Sequence, residues 1–343
     1  MSKLNIRILE RFPDPAWNDY VDSHADGSFF HLSEWAAIYA GLGWTQPCYL
    51  VAERAGQIVG VMPLATVRWG IGSSALVSAP FCVLAGAIAD EQSVRRALEQ
   101  AATEHGRRGG ADFLEVRQTS GPHPDWHAHE GFVSFSRELA ADEAENLKAV
   151  PKRRRAMIRK GEAAGLSVCN DFGLSDFYAL YALSMRNLGT PVYGRNLFEL
   201  LWRHFESRIG LLAVTDATEP VAGIMSFYYK GRAMPYYTGA LPRARQLAGP
   251  DFLYWTLMRD AVERGCHVFD FGRSIAGSGA AELKKNWGFT PVPLDYQLMP
   301  LDGGVVAPLD PDSALNSFAR RTWAKLPLAV ANRLGPLVSR RLY

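Results

Sequence analysis

Two stretches of this chain carry one pattern. The first is Tyr49-Leu50-Val51-Ala52 with Ile58-Val59-Gly60-Val61-Met62-Pro63-Leu64; the second is Leu211-Leu212-Ala213-Val214 with Val221-Ala222-Gly223-Ile224-Met225-Ser226-Phe227. Each pair of apolar runs is joined by a short turn, at Ala55-Gly56 and near Thr218-Glu219-Pro220, and reads as a β-hairpin. Each hairpin is followed by a helical stretch, Ser93 to Gly109 and Asp251 to Arg264. Val94, Ala97, Leu98 and Ala101 line one face of the first, and Leu253, Leu257, Met258 and Ala261 one face of the second. Gly265 fits a helix C-cap. A strand then follows in both copies, Asp112 to Arg117 and His267 to Phe271, and each copy ends in a Gly-Phe segment, Glu130-Gly131-Phe132 and Trp287-Gly288-Phe289. Duplication of one α/β unit accounts for the series.

Between the copies runs Val150 to Gly165, in which six of the nine residues from Lys152 to Lys160 are basic. Pro151 suits a helix start and Gly165 its end. At helical spacing Lys152, Arg155 and Arg159 share a face. A run this dense without interleaved acids repels itself, so it is either a solvated surface or a seat for phosphates.

Chemistry is expected between Val268 and Gln297. There a strand reaches Asp270, Arg273 and Ser274 follow, Gly277 and Gly279 form a turn, and Lys284 and Lys285 precede Trp287-Gly288-Phe289. Polar groups just past the end of a buried strand suit a site on a rigid sheet. Asp270 could accept a proton, or could merely cap the turn or pair with Arg273. Arg273 and Ser274 could bind a phosphate or acyl group beside amides that the glycines leave accessible. Trp287 reads as packing or as a substrate platform, and Arg186 and Tyr193 as further substrate contacts.

Composition narrows the field. Over 343 residues the hydrophobic content is 48%, the charged content 21% and the net charge +2, ordinary for a globular protein of two domains. Cys48, Cys82, Cys169 and Cys266 are widely spaced and outside any metal-ligand pattern, which predicts reduced core residues and no metal. No segment approaches the roughly 18 apolar residues of a membrane span, and Met1 to Asp14 lacks a secretory core, which points to the cytoplasm. His123, His127 and His129 lie in a Pro-Gly loop, read as exposed rather than metal-binding. The tail from Ser313 alternates apolar residues with Arg320, Arg321, Lys325, Arg333, Arg340 and Arg341, and the last acid is Asp312. Such a tail is either a helix packed on the second domain or a basic amphipathic segment on an anionic membrane face, against which Pro327 and Pro336 count.

The repeat, the basic helix, and the phrases Leu188-Gly189-Thr190-Pro191-Val192-Tyr193, Phe269-Asp270-Phe271-Gly272-Arg273-Ser274 and Lys284-Lys285-Asn286-Trp287-Gly288-Phe289 resemble the FemAB family, over about residues 25 to 300. These are aminoacyl or acyl transferases with two GNAT-like domains. The resemblance is most specific to the subgroup associated with exosortase and exopolysaccharide clusters. It implies an α/β (α+β) fold of two tandem GNAT-like domains, each a mixed sheet flanked by helices. The domains would be residues 1–148, a basic connecting helix 149–166, residues 167–305 holding the active site, and a basic tail 306–343.

By the same resemblance, the segment Leu283-Lys284-Lys285-Asn286-Trp287-Gly288 matches the family pattern of a lysine before an aromatic-glycine pair, with leucine in place of an aromatic. That makes Lys284 the donor to the oxyanion formed when an amine attacks an ester. The implied reaction is acyl or aminoacyl transfer to an amine or hydroxyl of a peptidoglycan or exopolysaccharide precursor, with aminoacyl-tRNA or an acyl carrier as donor. Lys152, Arg155, Arg159, Arg186, Tyr193, Arg273, Ser274, Lys285 and Trp287 would contact substrate or phosphate, and Asp270 would assist. Work at the inner face of the cytoplasmic membrane is the implied setting.

Acetyl-CoA is the less favoured donor. The place of the usual pyrophosphate loop holds Gln246-Leu247-Ala248-Gly249-Pro250-Asp251, where Pro250 lacks an amide donor and Asp251 adds a negative charge. A non-catalytic scaffold of polysaccharide assembly and an acetyl-CoA-dependent N-acetyltransferase remain as other readings.

Overall fold

A computed structural model describes residues 3–68, 73–118, 121, 123, 126–301 and 314–341. The first hairpin is β1 (Thr45–Arg54) and β2 (Gln57–Arg68), closed by Ala55 and Gly56, both at positive φ as a tight right-twisting turn requires. A third strand, β3 (Ser74–Ser78), pairs antiparallel with β2. Helix α1 (Gln92–Arg108) then crosses back to β4 (Phe113–Arg117), which runs parallel to β3. The buried face of α1 is Val94, Leu98 and Ala102, while Ala97 and Ala101 sit at its edge. These side chains meet Leu50, Met62, Leu64, Leu76 and Leu114 in one core.

Strand β5 (Phe132–Glu138) and the basic helix α2 (Lys152–Ala163) come next. The second hairpin is β6 (Ile209–Thr215) and β7 (Pro220–Tyr229), with a third strand β8 (Arg232–Ala240) antiparallel to β7. Helix α3 (Gly249–Glu263) returns to β9 (Val268–Ile275), parallel to β8. Gly265, at φ +78, follows the α3 C-cap as expected from sequence. Helix α4 (Gly279–Asn286) and strand β10 (Tyr296–Pro300) complete this part of the chain. Both repeats therefore show the same order: hairpin, third strand, helix, parallel strand. The mixed sheets flanked by helices are those expected.

Strand exchange sets the extent of the units. The chain forms two compact units, one of Met1–Phe132, Leu294–Leu309 and Arg340–Tyr343, the other of Val133–Pro293 and Asp310–Ser339. Residues 133–148 belong to the second unit because β5 lies beside β9 in its sheet, and the Leu139 amide donates to the His267 carbonyl. Residues from Leu294 belong to the first because β10 pairs antiparallel with β4, from Tyr296 opposite Arg117 to Pro300 opposite Phe113. Strand β5, after the first copy, thus joins the sheet of the second, and β10, which follows the short strand Val292–Pro293, joins the sheet of the first. Helix α2 is an integral part of the second unit, with Ile158 in its core and Gly161 against Phe252 of α3.

Gly60 shows how closely α1 is laid on its sheet. A Cβ there would stand 2.9 Å from Val94 Cγ1, 3.0 Å from Ala89 Cβ and 3.1 Å from Leu98 Cδ1. Gly60→Val should therefore destabilise the first unit by about 1–3 kcal/mol through overpacking. Denaturant unfolding checks this, and an unchanged midpoint would refute such close contact.

Candidate active site in the second unit

The ladder between β8 and β9 is two residues long, Arg232 opposite Val268 and Ala233 opposite Phe269. Beyond it β8 carries a bulge: Ser226 of β7 faces Pro235 and Met225 faces Tyr237, leaving Tyr236 as the extra residue. Pro235 has no amide to give to a ladder, and a bulge bends its strand away, so β8 and β9 separate. Past Ala233 and Phe269 no ladder joins the two parallel strands, so Pro235 to Thr238 and Asp270 to Ser274 border the candidate cleft.

The first unit closes the corresponding gap with its own chain. The Arg117 amide donates to Ser78 Oγ at 2.7 Å, and the Ala85 amide to the Arg117 carbonyl at 3.1 Å. The buried Arg117 guanidinium donates to Glu115 at 2.8 Å and to the carbonyls of Ala79 and Cys82. Ala79 and Phe81 hold positive φ there, and at Gly86 a Cβ would fall 1.8 Å from the Gln118 carbonyl oxygen. Arg117, near the end of β4, has its charge spent on a carboxylate and a loop. Among the described residues, no such loop fills the place between β8 and β9 in the second unit.

Lys284, on α4, is buried behind β9. Gly272 sits at φ +61, which breaks the alternation of carbonyls along the strand. Three successive carbonyls consequently converge on the ammonium: Phe271 at 2.7 Å, Gly272 at 3.1 Å and Arg273 at 3.0 Å. An ammonium has three protons, and each has an acceptor. The Phe135 ring centroid lies 5.4 Å from Nζ. Burial lowers the Lys284 pKa to about 8; Asp270 opposes the shift and Arg273 adds to it. In this conformation the ammonium holds the cleft wall and does not protrude into the cleft.

Asp270 accepts from the Gly272 amide at 2.8 Å, and its other oxygen is 3.6 Å from Arg232. It caps its own turn, and its ionic partner is Arg232 rather than Arg273. Burial raises its pKa against the pull of that amide and of Arg232. Ser274 Oγ is buried without a hydrogen-bond partner among the described residues. Tyr193 reaches the bulge side of the cleft, its ring 6.1 Å from and edge-on to that of Tyr237.

Other residues singled out from sequence lie elsewhere. Trp287 has no exposed surface; its ring packs 6.0 Å from Tyr254, so it is core and offers a substrate nothing. Lys285 is exposed and paired with Glu282. Arg186 donates to the Ala324 carbonyl of the terminal segment. On α2, Lys152 and Arg159 are exposed and Arg155 is half-buried. The basic side chain that reaches inward is Arg154, which is not on that face; it binds Asp251 of α3 at 3.0 Å. Burial raises the Asp251 pKa and Arg154 opposes this.

That ion pair occupies the first turn of α3, where a coenzyme pyrophosphate would need amides. Pro250 supplies none, and the buried carboxylate of Asp251 repels an anion, so these residues do not fit CoA in that pose. Sequence reasoning passed over Arg154 and Tyr236. Met234-Pro235-Tyr236-Tyr237, a proline within an apolar strand, was the available sign of the bulge.

Comparisons agree with this architecture. Residues 150–285 match the model of the acetyltransferase (GNAT) domain. The fold is similar to a crystal structure of FemX, with TM-score 0.65 and 14% identity over 85% of this chain and 96% of that one. It is also similar to a tandem GNAT protein from the clavulanic acid biosynthesis pathway (TM-score 0.54, 15% identity, 88% and 100% covered). A third likeness is to the C-terminal DUF2156 domain of a protein from Agrobacterium fabrum assigned as a lysylphosphatidylglycerol synthetase (TM-score 0.52, 14% identity, 77% and 87% covered). No curated protein matched the sequence. Residues 150–285 thus match an acyltransferase domain model, and the fold of the chain is that of tandem GNAT proteins.

Proposed function

We propose that the second unit transfers an acyl or aminoacyl group to an amine or hydroxyl of a phosphorylated cell-envelope precursor, of peptidoglycan or of an exopolysaccharide, as in the exosortase-associated FemAB-like subgroup. The open splay between β8 and β9, beside a first unit whose equivalent gap is filled, is the observation that carries this reading. A donor carbonyl lodged between the strands would lie by the orphan hydroxyl of Ser274, and Asp270, its pKa raised, would receive the amine proton. Lys284 holds three carbonyls of β9 in place and contributes positive charge behind the site. Lys152, Arg155, Arg159 and Arg273 supply charge for precursor phosphates.

The donor is aminoacyl-tRNA or another acyl carrier rather than acetyl-CoA, in keeping with Pro250 and the Arg154–Asp251 pair. The work is done in the cytoplasm at the inner face of its membrane. A second reading, a non-catalytic binding protein, is favoured by the full engagement of the Lys284 ammonium.

Isotope transfer from charged tRNA, acyl carriers and acyl-CoA to nucleotide- and lipid-linked precursors tests both. Transfer from a donor other than CoA, reduced at least about tenfold in Arg155→Ala with Arg159→Ala, is expected. Binding without turnover would establish the second reading instead.

A further inference from the structure

The terminal helix, Leu328–Val338, is built in reverse of a helix that merely closes a domain. Facing the second unit are small residues four apart: Ala331, Gly335 and Ser339 are buried. The contact is close, since a Cβ on Gly335 would stand 2.9 Å from Val192 Cγ1 and from the Val192 carbonyl oxygen. The large apolar residues point the other way. Val330 is 39% exposed, Leu334 42%, Leu337 58% and Val338 46%, and their spacing puts all four on one stripe. Four of the nine large hydrophobic side chains exposed among the described residues are therefore on eleven residues of helix.

The charges on the segment itself have one sign. Arg333 lies exposed at its edge, and Arg320, Arg321 and Lys325 are exposed on the segment before it. No acidic residue follows Asp312 in this sequence, so the segment carries no acid of its own to neutralise them. Pro327 holds the N-cap, and the helix runs on through Pro336, at the loss of the bond its amide would give to the Asn332 carbonyl, to end two residues later at Val338. The prolines thus bound a short surface helix. No helix among the described residues is long and apolar enough to cross a membrane, and this one has the make-up of a helix that lies on one.

We propose that the outward face of Leu328–Val338 docks on an anionic lipid surface, with Leu334 and Leu337 inserted among acyl chains and Arg320, Arg321, Lys325 and Arg333 on the headgroups. A second copy of the chain is disfavoured as the occupant, because pairing this face with itself would bring two acid-free basic clusters together. The proposal does not depend on the acyl-transfer reading, since none of these residues is in the cleft.

Co-sedimentation of the full chain with vesicles of phosphatidylcholine, or of phosphatidylcholine mixed with phosphatidylglycerol, tests it. Binding to the mixed vesicles alone is expected, weakening with salt and falling roughly fivefold for each arginine removed in Arg320→Gln and Arg321→Gln. The double variant Leu334→Gln, Leu337→Gln should lose binding at least about tenfold, with its melting temperature kept because both side chains already face solvent. Failure of the wild-type chain to sediment, equal binding to neutral vesicles, or full binding by the leucine variant would each overturn the proposal. So would a solution dimer that the leucine variant abolishes without any vesicle binding, which would assign the face to a second copy.

Discussion

Replacing Lys284 with methionine should cost about 1–3 kcal/mol of stability, the range for leaving buried acceptors without a donor. Methionine fills most of the volume but leaves the carbonyls of Phe271, Gly272 and Arg273 turned inward without a donor. Burial has brought the Lys284 pKa down from 10.5 to about 8. Between those values the unfolded chain holds a proton that the folded chain has released, so stability contributed by this group rises as pH increases through that window. Below about pH 8 both states are protonated and the slope vanishes.

Chemical unfolding of wild-type and Lys284→Met proteins across that window should show the slope in the first and not in the second. Transfer activity should fall at least about a hundredfold in Lys284→Met, because the wall of the cleft it holds carries Arg273 and Ser274. Parallel pH profiles, or a methionine variant of full stability, would show that the ammonium does not hold β9.

The second large effect is expected at Arg154. Arg154→Ala leaves the Asp251 carboxylate buried without its partner, at about 3 kcal/mol, the lower end for a broken buried pair because Arg154 keeps some exposure. The pKa of Asp251 is already raised by burial, and loss of Arg154 raises it further. A carboxyl whose folded pKa is raised destabilises increasingly as pH climbs above 3.8, where the unfolded chain ionises first. The deficit of Arg154→Ala should therefore shrink in acid. Asp251→Asn added to it should recover most of the stability at neutral pH, since no charge remains to be buried. A deficit that is independent of pH, or unmoved by the asparagine, would mean that Arg154 acts by packing alone.

Much of this protein is legible along the chain, because its informative patterns are local. The hairpin at Ala55-Gly56 follows from two residues at positive φ between apolar runs, and α3 from the spacing of Leu253, Leu257, Met258 and Ala261. The basic helix between Pro151 and Gly165 and the duplicated α/β order are equally local. Other features depend on partners far off in sequence. No pattern in Phe132–Glu138 says that it will lie beside Val268–Ile275, since a strand's period names its faces and not its neighbour.

The direction of long side chains is likewise tertiary. Lys284 fits a site motif by sequence, but it turns into the wall because Gly272 gathers three carbonyls around it. Among six basic residues, the geometry of α2 on α3 selects Arg154 to meet Asp251. The tail shows the same division: its apolar and basic alternation is written in the sequence. Only the contact of Gly335 with Val192 decides that Leu334 and Leu337 face outward, because backbones can approach so closely only over the side that lacks side chains.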